Sequence, residues 1–132
     1  MASPDQRHVV IEGDGSLLMN IQELDLAATS GLLITLVVWN NCGYGAEAQR
    51  LPGKGFSTKP ATWTSPDFVP IAHGFGGDGA GVETWDDLET AMQQARDAPG
   101  LFLIDLWISP YETSDTYLKN FYGKPNASPF QP

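Results

Sequence analysis

The chain is poor in cysteine, in positive charge and in long apolar runs, and each shortage closes off a class of function. A single cysteine, Cys42, forbids an internal disulfide and any multi-cysteine metal centre, and it suits a reducing compartment such as the cytosol. Seven Lys and Arg stand against 16 Asp and Glu, for a net charge of −9. That balance excludes nucleic acid as a partner, because its affinity depends on cations that neutralise phosphates. No apolar stretch is long enough to span a bilayer, and "MASPDQRH" lacks the apolar region of a secretory signal, so neither membrane nor export is expected. Only two histidines are present, without partners at ligand spacing, and His73 reads as structural.

What is there suits one globular domain of 132 residues, with 42% apolar residues and four Trp. "RHVVIE" predicts a short buried strand from Arg7 to Glu12 that ends at a glycine turn. Leu18, Ile21, Leu24 and Ala28 recur at helical spacing and predict a helix over 18–29, stopped by Gly31. "LITLVVWNN" is apolar throughout and β-branched, as suits a parallel strand covered on both faces. A Gly/Pro/Ser/Thr-rich loop follows, "LPGKGFSTKPATWTSP". Ser65 and Pro66 then predict a helix start, with Phe68, Ile71, Ala72 and Phe75 on its apolar face. A short strand is expected near Ala80–Glu83, then a helix opened by a Thr84/Asp87 capping box, with Trp85, Leu88, Ala91, Met92 and Ala95 as its buried stripe. "LFLIDLWI" is the last strand, and the tail over 111–132 is expected to be irregular. Strands alternating with helices predict an α/β fold, a three-layer α/β/α sandwich on a mostly parallel sheet.

Parallel sheets place ligands outside the carboxyl ends of their strands. Two polar clusters fall there: "GDGS", Gly13 to Ser16, after the first strand, and Asn40–Asn41 after the second. By itself the triplet reads as a bend, since Asp-Gly pairs are among the commonest turn signals. Beside Asn41 it acquires a chemistry. A hard cation such as Mg²⁺ takes one carboxylate, neutral carbonyl oxygens and phosphate oxygens. Asp14, the Asn41 amide and a backbone carbonyl in the Cys42–Gly43 turn offer that protein set, and the N–H groups of Gly15 and Ser16 open a helix toward the same crevice. Mg²⁺ with a diphosphate fits, and it explains how an acidic domain holds an anion.

At these residues the chain resembles the thiamine-diphosphate-binding motif, Gly-Asp-Gly followed at a distance by Asn-Asn, here "GDGSLLMNIQELDLAATSGLLITLVVWNN" with "CGYG" as its continuation. "PDFVPIAHGFGG", "GVETWDDLETAMQQA" and "GLFLIDLWISP" extend the resemblance to the diphosphate-binding (PP-type) domain of acetolactate-synthase-like and 2-oxo-acid decarboxylase enzymes. The resemblance implies thiamine diphosphate and Mg²⁺ as cofactors, with Asp14, Asn41 and the Gly43 carbonyl as metal ligands. It implies that Gly13, Gly15, Ser16, Tyr44 and Gly45 line the cofactor, and that Glu47 stands where some family decarboxylases keep a glutamate near the thiazolium. Against the family pattern the domain is expected to be N-terminally truncated, with the pyrimidine-binding domain supplied by a separate chain or domain and the isolated chain inactive. An alternative from another class is a non-catalytic remnant that keeps the fold for ligand binding or assembly.

Several neighbours have plainer readings. Asn40 suits a strand-end cap, Asp78 in "GGDGAG" a loop with no Asn-Asn after it, and Cys42 a structural role. The Asn126 sequon has no secretory context. If the strand order follows the family, "HVVIE" lies at a sheet edge beside "LITLVVWN", which predicts a homo-oligomer, a two-fold dimer buried around His8 to Glu12 and the helix near Leu18.

Overall fold

Four apolar segments pair into one all-parallel sheet in the computed structural model, which describes residues 5–112, 114 and 116. The strands are β1 (His8–Gly13), β2 (Ile34–Asn40), β3 (Asp78–Val82) and β4 (Leu101–Trp107), in the order β1-β2-β4-β3. The helices are α1 (Asp14–Met19), α2 (Glu23–Thr29), α3 (Gly45–Arg50), α4 (Phe68–Gly74) and α5 (Trp85–Asp97). The chain forms two compact units. One comprises Met1–Asn41 with Ser65–Ile108 and holds the whole sheet; the other comprises Cys42–Thr64 with Ser109–Pro132.

In the first unit the pleat divides the core in two, since successive side chains leave opposite faces of a strand. On one face Leu36, Val38, Leu101 and Leu103 meet Leu17 of α1, Leu24 of α2 and Phe68 and Ala72 of α4. On the other, Val37, Val82, Phe102 and Ile104 meet Ala91 and Ala95 of α5. The expected three layers are therefore present. Helix α5 begins as its sequence predicts. The Thr84 hydroxyl accepts from the Asp87 N–H at 3.2 Å, and the Asp87 carboxylate accepts from the Thr84 N–H at 3.0 Å. Its far end is held by Arg7, whose guanidinium donates to the carbonyls of Ala98 and Gly100. The glycine within β3 has a packing cause as well. A Cβ on Gly79 would stand 2.6 Å from the Leu103 carbonyl oxygen, so β3 and β4 approach as only glycine permits.

Several expectations need correction. The helix expected over 18–29 is two helices: α1 starts at Asp14, and Asn20 closes it with φ −131° and ψ 27° before α2 begins. Leu17, not Leu18, is then the inward residue of α1, and Leu18 is exposed. Asp67, rather than Ser65, caps α4, accepting from the Val69 N–H at 3.1 Å. Trp85 is 85% exposed and Met92 is also exposed. The stripe that meets the sheet is Leu88, Ala91, Ala95 and Ala98; Trp85 sits in the first turn, beyond the end of β3, and Met92 lies one position off the stripe. Strand β1 is not buried either, because it is the edge of the sheet: Val9, Val10 and Ile11 are 56, 42 and 61% exposed. The tail expected over 111–132 and Asn126 lie almost wholly outside the described residues.

The second unit carries α3 and, inside what reads from sequence as one irregular loop from Leu51 onward, two short 3-10 turns, Pro52–Lys54 and Lys59–Ala61. Among the described residues no helix is long and apolar enough to cross a membrane.

Candidate functional site

Two neighbouring strands end together. Gly13 pairs with Trp39 across β1 and β2, so Asp14 and Asn40–Asn41 leave the sheet at the same carboxyl-terminal edge, as their sequence positions predict. Asp14 is already helical: Gly13 is the N-cap of α1, and the short turn expected after β1 is the first turn of that helix. Asp14 and Gly15 are buried, Ser16 and Asn41 half-buried, and Gly13 exposed.

Beneath this edge lies a polar node that the sequence reading did not assign. Asn40 is fully buried, and its amide donates to the Asp105 carboxylate at 2.9 Å. Its own carbonyl accepts from the Ile108 N–H at 2.9 Å. Asp105 also accepts from the backbone N–H of Phe68, the first residue of α4. One carboxylate thereby ties β2, β4 and the start of α4. Asn40 is thus more than a strand-end cap. The signal for Asp105 was in the chain all along, an acidic residue inside the apolar run "LFLIDLW", where a buried charge demands partners.

The electrostatics of this end are one-sided. Burial pushes the Asp105 carboxyl above the usual range, the Asn40 and Phe68 hydrogen bonds pull it back, and the charges of Asp67 and Asp14 push it up further. None of the groups that shift it is a cation. Carboxylates gathered at a strand end lower the energy of a cation placed among them. Among the described residues no three His, Cys, Asp or Glu side chains gather as a metal cluster, and the oxygen groups at this strand end are one buried carboxylate, Asp14, beside the Asn41 amide and backbone carbonyls. Hard, oxygen-only groups of this kind are the chemistry that divalent cations such as Mg²⁺ take.

The other proposed residues lie in the second unit. Cys42 adopts φ +60°, a left-handed turn uncommon for a side-chain-bearing residue. Gly43 then bridges Thr62 in antiparallel fashion, flanked by Tyr44 N–H to Ala61 carbonyl at 2.9 Å and Trp63 N–H to Cys42 carbonyl at 3.0 Å. A Cβ on Gly43 would collide with the Ala61 carbonyl oxygen, so the position accepts glycine alone. Tyr44 packs edge-on against Trp63 with ring centroids 4.8 Å apart, and the buried Trp63 indole N–H has no hydrogen-bond partner among the described residues. Gly45 opens α3; Glu47, in its first turn, is exposed to solvent. The sequence reads Glu47 as a solvated residue opening a helix, and α3 places it so, whereas the Trp63 contact had no signal in "GYGAEAQR".

Comparison with known proteins agrees with this geometry. The family model described as thiamine pyrophosphate enzyme, C-terminal TPP binding domain, matches residues 1–106. The acetolactate synthase large subunit of Parasynechococcus marenigrum is 33% identical over 111 residues, 82% of this chain and 18% of that one. The acetolactate synthase large subunit of Pyropia yezoensis is 31% identical over 130 residues, 96% of this chain and 22% of that one. Among solved structures, the thiamine diphosphate-dependent 4-hydroxybenzoylformate decarboxylase of Rhodococcus jostii RHA1 superposes with a TM-score of 0.73 at 30% identity, covering 81% of this chain and 20% of that one. Benzoylformate decarboxylase from Polynucleobacter necessarius gives 0.72 at 25% identity, over 80% of this chain and 20% of that one. The chain thus spans about a fifth of the length of the proteins it matches. A four-stranded parallel sheet, a buried aspartate opening the helix after β1, an Asn-Asn end to β2 and a family match over most of the sequence agree: this chain belongs to the family of C-terminal thiamine-pyrophosphate-binding domains of thiamine pyrophosphate enzymes.

Proposed function

We propose that the chain anchors the diphosphate of thiamine diphosphate through Mg²⁺, with Asp14 and Asn41 as side-chain ligands, in an enzyme that makes or breaks C–C bonds of 2-oxo acids. One observation carries this reading: a buried carboxylate, Asp14, and the Asn41 amide emerge from adjacent strand ends in a surrounding with acidic neighbours. A domain of net charge −9 repels a free diphosphate, and a bridging dication reverses that repulsion locally. The backbone of Gly13, Gly15 and Ser16 would line the diphosphate. In the second unit, Gly43 would contribute its carbonyl, Tyr44 and Gly45 their backbone, and Glu47 a carboxylate toward the thiazolium. When bound, the cofactor supplies carbanion stabilisation, and the protein supplies position. Self-association belongs to the same reading: we expect a two-fold dimer buried around His8 to Glu12 and the start of α1.

Calorimetry with thiamine diphosphate tests the anchor. Binding is expected in millimolar Mg²⁺ and lost in EDTA. Asp14→Ala is expected to abolish the Mg²⁺-dependent heat. Asp78→Ala is expected to leave it unchanged, because Asp78 opens β3 and is engaged with His73 at 3.0 Å and the Gly79 N–H at 2.8 Å. Equal affinity with and without Mg²⁺, or parental binding by Asp14→Ala, would sink the reading.

A further inference from the structure

Packing alone does not call for an amide and a carboxylate beneath the strand ends. Asn40 is fully buried and Asp105 is 2% exposed, on the face of the sheet that otherwise carries Leu36, Val38, Leu101 and Leu103. Burying such groups costs free energy even when they are partnered, and two apolar residues of similar shape serve stability as well. What an apolar pair cannot supply is direction. Hydrogen bonds fix which way a side chain and its peptide face, and a connected network holds one arrangement.

Here the network closes on the residue before Asn41. Asp105 stands opposite Val38 in the ladder and Asn40 opposite Trp107, so the 2.9 Å bond from the Asn40 amide runs diagonally from β2 to β4. The Asn40 carbonyl, which belongs to the peptide that leads into Asn41, accepts from the Ile108 N–H at 2.9 Å. Asp105 is itself held by the Phe68 N–H, and Phe68 is fully buried at the start of α4. Side chain and carbonyl of Asn40 are thus both fixed to β4 and the residue after it. These contacts set the plane of the Asn40–Asn41 peptide, and with it the direction in which Asn41 leaves the sheet beside Asp14.

We propose that Asp105 is a positioning residue for the cation at the strand ends: acting through Asn40, it aims the Asn41 amide at the ion without ligating it. Asp105 then serves the Mg²⁺ anchor proposed above, on which this role depends. Groups that orient metal ligands in this way commonly matter roughly 10–100-fold in affinity.

Calorimetry with thiamine diphosphate in millimolar Mg²⁺ is read beside urea unfolding and beside NMR relaxation of the Asn41 side-chain amide in the ligand-free chain. Asp105→Asn keeps the shape but offers one acceptor oxygen where the carboxylate offers two, so Asn40 and Phe68 compete for it. It is expected to weaken Mg²⁺-dependent binding roughly tenfold and to loosen the Asn41 amide. Asn40→Asp sets carboxylate against carboxylate and is expected to do the same. The exchange, Asn40→Asp with Asp105→Asn, rebuilds the node with its donor reversed: the amide at 105 accepts from Phe68 and donates to the carboxylate at 40. Affinity is expected to return to within about threefold of the parent, and the Asn41 amide to its parental rigidity. Ile104→Val, beside Asp105 on β4 but packed toward α5, is expected to lower the urea midpoint and leave both other readings unchanged. Parental affinity and parental Asn41 dynamics in both single variants would overturn the proposal while the anchor stands. So would losses that follow the urea midpoint through all variants, Ile104→Val included, since the node would then act on stability alone. A parent without Mg²⁺-dependent heat would instead overturn the anchor, and the role of Asp105 with it.

Discussion

Strands β4 and β1 each carry an unbroken apolar run and are opposite in circumstance. "LFLIDLW" is flanked by β2 and β3 and roofed on both faces, so that Leu101 to Asp105 are all buried, the aspartate included. "HVVIEG" has a neighbour on one side, and its three central apolar residues stay in view of solvent. Hydropathy tells how much cover a strand needs, whereas the cover itself comes from distant parts of the chain. Where cover is complete, even a carboxylate is drawn inside and must be partnered; where it is partial, the apolar side chains stay in contact with solvent.

That contrast can be broken by substitution. Leu103→Ala, at a fully buried site, is expected to cost about 3 kcal/mol in urea unfolding, whereas Val10→Ala is expected to cost under about 1 kcal/mol at low protein concentration. The proposed dimer would make the cost at Val10 rise with protein concentration. Equal costs at all concentrations would erase the distinction between the strands. Next in size is Asn40→Ala, which leaves the Asp105 carboxylate buried with one donor fewer and is expected to cost about 2 kcal/mol.

A pH series sharpens the buried side of the comparison. Folding raises the Asp105 carboxyl above its ordinary value of 3.8, chiefly by burial. The folded chain therefore holds that proton more tightly than the unfolded chain. Its contribution to stability is full below the ordinary value and is lost as pH rises through the raised one. Asp105→Asn is expected to flatten the fall in stability over that window, seen by urea titration at successive pH values. An unchanged slope would show that the node is already neutralised by its hydrogen bonds. The smallest effect belongs to Thr84→Ala, which removes one side of the α5 capping box and is expected to cost about 1 kcal/mol.

Much of this was legible. Three of the strands announce themselves by apolar runs and β3 by its place after a glycine cluster, α5 by its box and alanine stripe, and the strand-end pair Asp14 and Asn41 by its place after two runs close enough in sequence to be neighbours. What escaped reading depends on contacts far apart in sequence. Asp105 meets Asn40 across 65 positions, and no local period marks either residue. Helix α1 could not be separated from α2, because Leu17 and Leu18 are adjacent leucines and only the sheet decides which turns inward. Trp85 was placed inside on size and spacing, yet its turn lies past the end of β3. Strand β1 read as buried because its composition is that of a buried strand.

The close seating of β3 on β4 carries one more consequence, for the order in which the molecule assembles. Asp78 to Trp107 is an unbroken strand–helix–strand segment whose helix starts itself with the Thr84–Asp87 exchange and whose two strands meet without waiting for any other part of the chain. Closing so short a connection sacrifices little chain entropy, whereas bringing β2 onto β4 closes a loop that contains α3, α4, β3 and α5. Strand β1 is joined to β2 by a connection of similar length, so both strand–helix–strand segments close at little entropic cost and the β2–β4 pairing is the long-range step that unites them. Asp14 and Asn41 belong to the same segment, so their strand ends are brought together by local closure, before that long-range step.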